Sequence, residues 1–129
     1  MANEVLLLLA EDEPLVALAA QDALEIGGYT VVTAASGSEA MLLIEERFQE
    51  LAGVVTDIRL GEGPSGWDVA TRARELKPDI AVVYATADSA HEWSAHGVPN
   101  SVVVQKPYAS AQLVTAISTL LTQADTSRA

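Results

Sequence analysis

Short apolar runs alternate along the chain with longer stretches of helical periodicity. Val5-Leu6-Leu7-Leu8-Leu9 is continuously apolar, the pattern of a strand buried on both faces. Pro14 stands at a favoured first helical position, and the Ala- and Leu-rich segment after it reads as a helix ending at Ile26, stopped by Gly27-Gly28. Tyr29-Thr30-Val31-Val32 is a second short strand. Ser36-Gly37-Ser38-Glu39 has capping-box spacing, and the helix it opens runs to about Phe48. A third strand from Leu51 to Thr56 ends at Asp57. The Gly-rich loop from Gly61 to Gly66 leads to a helix over Trp67–Leu76, closed by Lys77-Pro78. Ile80–Ala85 is a fourth strand, Ser89–His96 a short helix stopped by Gly97, and Ser101–Gln105 a fifth strand. Leu113, Ile117, Leu120 and Leu121 then recur at helical spacing over a helix from Ala109 to about Gln123. Residues beyond 124 are small and polar and are expected to form a short frayed tail, leaving one domain over residues 1–124.

Five strand–helix units in strict alternation predict an α/β protein. Its five-stranded parallel sheet is doubly wound, with helices on both faces and right-handed crossovers. The length of 129 residues suits one such domain and leaves no room for an attached output module. No cysteine is present, which excludes thiolate chemistry and cysteine-based metal sites. The apolar N-terminal run is far shorter than the roughly 20 residues of a membrane span and has no basic segment before it, so a cytoplasmic protein is expected. Seven basic against 18 acidic residues give a net charge of −11, which repels phosphate backbones and anionic membrane surfaces. Nucleic acid and membrane are therefore not expected partners.

In an open α/β sheet, ligands bind beyond the carboxyl ends of the strands. Glu11 and Asp12 follow the first strand, Asp57 the third, Thr86 the fourth and Lys106 the fifth. Each alone has an ordinary explanation as a cap, a turn residue or a strand terminator. Together they put three carboxylates, a hydroxyl and an ammonium on one rim. Clustered carboxylates repel unless a cation neutralises them. Oxygen donors without His or Cys suit Mg²⁺ better than zinc. A lysine opposite supplies a point charge for phosphate, and Asp57 is placed to act as a nucleophile on phosphorus.

Leu9-Ala10-Glu11-Asp12-Glu13-Pro14, Val54-Val55-Thr56-Asp57, Tyr84-Ala85-Thr86-Ala87 and Val104-Gln105-Lys106-Pro107-Tyr108 resemble, in order and spacing, the motifs of two-component response regulator receivers. The likeness covers nearly the whole chain and is closest to the stand-alone, single-domain type. It implies the flavodoxin-like receiver fold and a set of roles. Asp57 would accept a phosphoryl group from a phosphohistidine on a sensor histidine kinase or phosphotransfer protein. Asp12 would bind Mg²⁺ directly, Glu11 largely through water, and the backbone carbonyl of Arg59 would complete the metal site with Asp57. Thr86 and Lys106 would contact the phosphoryl oxygens. Output would pass to a protein partner through the face of the fourth helix, fifth strand and fifth helix, from a monomer or a phosphorylation-dependent dimer, with no turnover of an external substrate.

Two departures from the family pattern stand out. Val103 occupies the position, three before the lysine, where an aromatic residue often swings with the switch threonine. The short helix around Trp93 is then expected to carry the switch and to be the most mobile element. Gly61 stands where a proline is common after the acceptor aspartate, and Gly66 lies one residue later than usual, so a more flexible loop is expected. Arg59 and Asp88, of opposite charge, are expected to face each other across the mouth of the site. Trp67 and Trp93 read as packing residues, and His91 and His96 as surface histidines on different helix faces. Surplus apolar residues on the first helix, above all Leu15 and Leu18, suit docking on a helical bundle. Two competing readings are an aspartate-nucleophile phosphatase and a phosphorylation-independent interaction module of receiver-like fold. Against the first, Asp57 follows the third strand and lacks the D-x-D pattern. Against the second, the acceptor aspartate, the acidic pair and the lysine are all kept.

Overall fold

A computed structural model describes residues 4–87 and 89–128, apart from the side chains of residues 125–128. Among the described residues five parallel strands form one sheet in the order β2-β1-β3-β4-β5: β1 Leu6–Ala10, β2 Thr30–Ala34, β3 Leu51–Asp57, β4 Ala81–Thr86 and β5 Val102–Gln105. The connecting helices are α1 Pro14–Ile26, α2 Gly37–Arg47, α3 Gly66–Leu76, α4 Trp93–His96 and α5 Ser110–Arg128. The architecture is the expected doubly wound one, and strand alternation explains both of its cores. Leu6, Leu8 and Ala10 point to one face, where they pack with Ala40 and Ile44 of α2 and Val69, Ala70 and Ala73 of α3. Leu7 and Leu9 point to the other, against Ala20 and Leu24 of α1 and Leu113, Ile117 and Leu120 of α5. The uninterrupted leucine run of β1 is thus the signature of a strand with a core on each side.

Helix starts and ends follow local chemistry. Ser36 accepts from Glu39 N at 3.1 Å, as its capping-box spacing predicts, while Glu39 reaches one residue further back, to Ala35 N. Ser65 and Asp68 form a full capping box at the start of α3, one residue earlier than the expected start at Trp67. Two elements differ from expectation in extent. The segment expected as one short helix over Ser89–His96 is a 3₁₀ turn, Ala90–Glu92, followed by a single turn of α-helix. Five of its eight residues are Ser, His or Trp, and Gly97 follows at once, so propensity cannot sustain a longer helix. Conversely, α5 runs to Arg128, past the expected end near Gln123 and through most of the segment expected to fray. No Gly or Pro interrupts residues 110–129, and nothing local stops the helix.

Two close backbone approaches hold the loop between β3 and α3. A Cβ on Gly66 would overlap the carbonyl oxygen of Asp57 and lie 2.8 Å from Ile58 Cα, and Gly66 N donates to Ile58 O at 2.8 Å. A Cβ on Gly37 would likewise overlap the carbonyl oxygen of Pro64. The loop therefore folds back against the end of β3 on one side and the start of α2 on the other.

Candidate functional site

The carboxyl ends of β1, β3, β4 and β5 converge on one rim of the sheet. Parallel register sets their level: Ala10 lies beside Thr56, and Asp57 beside Ala85. One residue beyond β1, Glu11 is buried, and its backbone N–H donates to Ala34 O of β2. Asp12, next along, is exposed. Glu11, Asp12 and Asp57 each offer a carboxylate oxygen within 4.8 Å of the others. Lys106 enters from the end of β5, where its N–H donates to Thr86 O at 2.7 Å and its bond to Pro107 is cis. Its ammonium donates to Glu11 Oε1 at 2.7 Å and to Asp57 Oδ2 at 3.1 Å.

The two oxygens of Asp57 are held differently. Oδ1 accepts from Ile58 N at 2.7 Å and more weakly from Arg59 N at 3.4 Å. Oδ2 faces Lys106. Backbone donors orient the carboxylate, and the Lys106 ammonium offsets its charge. One ammonium serves two carboxylates, and this shows in their acidity. Burial, and to a lesser degree the Asp57 charge, raises the Glu11 carboxyl above the usual range despite the Lys106 hydrogen bond. Burial pulls the Lys106 ammonium down, but hydrogen bonds and charge from Glu11 and Asp57 outweigh it, so its net shift is upward. Three carboxylates against one ammonium leave a net negative pocket made of hard oxygen donors, with no histidine or cysteine in the cluster. That donor set fits a divalent cation of the Mg²⁺ class.

Thr86 ends β4 and is buried, its hydroxyl accepting from Ser89 N at 3.1 Å. The structure thus brings Glu11, Asp12, Asp57, Thr86 and Lys106 to one place, as expected. Arg59 is exposed just beyond Asp57, and its Nε donates to Ser89 Oγ at 3.1 Å. The expected partner of Arg59, Asp88, lies outside the described residues. His91 and His96 are exposed, and Trp67 packs on the core, in line with expectation. Sequence reasoning missed two residues. Ser89, only 1% exposed, lies under the mouth of the site and engages both Thr86 and Arg59. Gly66, noted only for its shifted position, is the residue whose missing side chain lets α3 abut Asp57.

Comparison with known proteins bears on this geometry. The response regulator receiver domain model matches residues 7–118. The chain is 33% identical over 131 residues to the sensor kinase CckA of Brucella abortus (strain 2308), covering 97% of this chain and 13% of that protein. It is 30% identical over 119 residues to the response regulator SaeR of Staphylococcus aureus (strain USA300), covering 91% of this chain and 50% of that one. The chain therefore spans half or less of the length of these curated relatives. Among solved structures, a response regulator receiver protein from Sinorhizobium medicae WSM419 superposes with a TM-score of 0.91 at 40% identity, covering 94% of this chain and 97% of that one. A response regulator receiver domain protein from Clostridium thermocellum superposes with a TM-score of 0.82 at 25% identity, covering 94% and 97%. Fold, rim chemistry and these likenesses agree: the chain belongs to the response regulator receiver domain family of two-component systems.

Proposed function

We propose that this domain accepts a phosphoryl group on Asp57 from a phosphohistidine, in a Mg²⁺-dependent reaction, and passes the signal on through a conformational change. The observation that carries the reading is the shared ammonium: Lys106 Nζ bridges Glu11 Oε1 and Asp57 Oδ2 at the carboxyl rim of the sheet. In the transfer, an Asp57 carboxylate oxygen forms a bond to phosphorus while the bond from phosphorus to the donor imidazole nitrogen breaks, the electron pair returning to nitrogen. Oδ2 is the attacking oxygen, because Oδ1 is occupied by backbone N–H groups. Lys106 then exchanges its contact with Oδ2 for one with a phosphoryl oxygen, and the Thr86 hydroxyl donates to another. The Glu11 and Asp12 carboxylates, with Asp57 and the backbone carbonyl of Arg59, would hold Mg²⁺. When bound, that ion supplies charge neutralisation for the carboxylates and the incoming phosphoryl oxygens. Catalysis is positioning and electrostatics, with no proton shuttle required.

The donor is a histidine kinase or a phosphotransfer protein. Leu15 and Leu18 of α1 support this half of the reading: they are 81% and 56% exposed and offer apolar area to a helical partner, and Leu15 lines a cavity with Ala87 and Lys106. The downstream partner engages the face of α4, β5 and α5. Among the described residues no helix is long and apolar enough to cross a membrane. The test is to incubate the protein with Mg²⁺ and acetyl phosphate and weigh it intact, with a parallel sample in chelator. A gain of one phosphoryl group, absent with chelator, is expected. No gain with acetyl phosphate or with a phosphorylated histidine phosphotransfer domain would refute the reading.

A further inference from the structure

The loop from β3 to α3 divides into a held part and a free part. Ile58 and Leu60, two residues apart, are each 3% exposed and belong to the core between the sheet and helices α2 and α3. Gly61, Glu62 and Gly63 after them are exposed, and both glycines have positive φ, 80° and 91°. The chain is caught again at Pro64, whose carbonyl lies against Gly37, and at Gly66, which closes the loop by donating to Ile58 O. Among the described residues the backbone of 60–64 takes part in no hydrogen bond. At residue 60 itself the hold is the side chain alone.

Residue 59 matters because its backbone carbonyl would complete the metal site with Glu11, Asp12 and Asp57. A peptide unit is planar, so this carbonyl shares a plane with the Cα atoms of Arg59 and Leu60. On the near side the chain is fixed at Ile58, whose N–H donates to Asp57 Oδ1 at 2.7 Å and whose carbonyl accepts from Gly66 N at 2.8 Å. Arg59 adds less to the placing of its own peptide. Its N–H reaches Asp57 Oδ1 at 3.4 Å, longer than a well-formed bond. Its Nε donates to Ser89 Oγ at 3.1 Å, but contacts of the guanidinium act at the far end of a long side chain and leave the peptide plane to other forces. On the far side stands Leu60, and burial of a whole leucine side chain outweighs one long hydrogen bond.

We propose that Leu60 is a positioning residue for the metal ion: by seating its side chain in the core it sets the plane of the peptide whose carbonyl, at residue 59, completes the Mg²⁺ site. The inference rests on the metal site of the reading above. It separates metal affinity from the glycines of the loop, because movement of residues 61–63 stops at the buried Leu60 and does not reach the carbonyl. Leu60 lies outside the transfer step. Asp57 keeps Ile58 N on Oδ1 and Lys106 on Oδ2 whatever side chain stands at position 60. Leu60 therefore governs how tightly Mg²⁺ is held, and not how fast the loaded protein takes up a phosphoryl group.

The test is an NMR titration with MgCl₂, followed at the amides of residues 57–60, in the parent, Leu60→Ala, Leu60→Met and Ile44→Ala. Ile44 is fully buried in the same core but stands on α2, so its truncation controls for general loosening. Leu60→Ala should bind Mg²⁺ about tenfold more weakly, the scale for losing a group that orients a metal ligand. Leu60→Met, of similar volume, should bind within about twofold of the parent. Ile44→Ala should also bind within about twofold, although it too is destabilised. At saturating Mg²⁺ the rate of phosphorylation of Leu60→Ala by acetyl phosphate, read by intact mass, should stay within about twofold of the parental rate. Should Leu60→Ala fail to fold, Leu60→Val removes one methylene and should weaken binding by about threefold. Parental affinity in the truncated variant overturns the inference. So does an equal loss in Ile44→Ala, or a loss of rate at saturating Mg²⁺ as large as the loss of affinity. A parent that binds no Mg²⁺ overturns the metal site itself, and the parental titration distinguishes that case from a Leu60 with no part in it.

Discussion

At the end of β3 the two oxygens of one carboxylate meet different partners: backbone N–H groups on Oδ1 and a side-chain ammonium on Oδ2. This asymmetry orients Asp57 through Oδ1 and leaves Oδ2 to the ammonium of Lys106. Replacing Lys106 with methionine keeps the stem's packing and removes the charge. Phosphorylation from acetyl phosphate in saturating Mg²⁺ should then slow by about a hundredfold, the usual scale for losing one group that stabilises developing charge. Followed by intact mass against time, an unchanged rate would show that the ammonium has no part in the transfer. The rim residues were legible in the sequence because strand ends are: each apolar run stops at a definite residue, and parallel topology puts those stops side by side. Ser89 was not legible, because it comes to the site only when the segment after Thr86 turns back over the rim. Nor was the contact of Gly66 with Asp57, since a glycine's missing side chain has meaning only against the backbone it lets approach.

Among the elements, the best predicted were those whose boundaries are set by local chemistry. Pro14 opens α1 and Gly27 closes it at the expected residues. α3 starts one residue earlier than expected because Ser65 and Asp68 cap it reciprocally. That spacing is present in the sequence, but it is embedded in a run of Gly, Pro and Ser that reads first as loop. Ser65→Ala removes the side-chain acceptor for Asp68 N and leaves that donor to water. Stability should fall by about 1 kcal/mol in urea unfolding, with an unchanged denaturant dependence. A variant as stable as the parent would mean that the box adds nothing to the start of α3. α4 and α5 departed from expectation in opposite directions because local propensity and stop signals differ: Ser89–His96 is poor in helix formers and meets Gly97 at once, whereas no Gly or Pro stops the chain over residues 124–128.

Over the whole molecule, two apolar cores on either face of the sheet hold a polar rim in place, and the cores contain polar groups of their own. Tyr84 is the largest fully buried side chain, and its hydroxyl accepts a backbone N–H. Burial raises the Tyr84 phenol above its usual value, and a weaker opposing effect comes from Val98 and Arg74. The sign of the linkage follows. The folded state holds this proton more tightly than the unfolded chain, so the contribution is fully present below about pH 10 and is lost as pH rises through the folded value. Unfolding free energy measured in urea should therefore decline above about pH 10 in the parent, and more gently in Tyr84→Phe, which has no phenol to ionise there. The variant should also be about 1 kcal/mol less stable at neutral pH, for its lost hydrogen bond. Tyr108, raised by burial too, and Lys106, raised despite burial by its bonds to Glu11 and Asp57, contribute to the decline that remains. Equal slopes in the two proteins would contradict the assignment.

The central claim is that the phosphoryl group is carried by Asp57 and no other of the 18 acidic residues. The most direct measurement is chemical trapping: phosphorylate with acetyl phosphate and Mg²⁺, reduce the acyl phosphate with borohydride, digest, and locate the resulting alcohol by peptide mass spectrometry. The account predicts reduction at position 57 alone, and none in Asp57→Asn. An alcohol at Glu11, Asp12 or elsewhere in the parent, or no reduced residue in a protein that has gained a phosphoryl group, would contradict it.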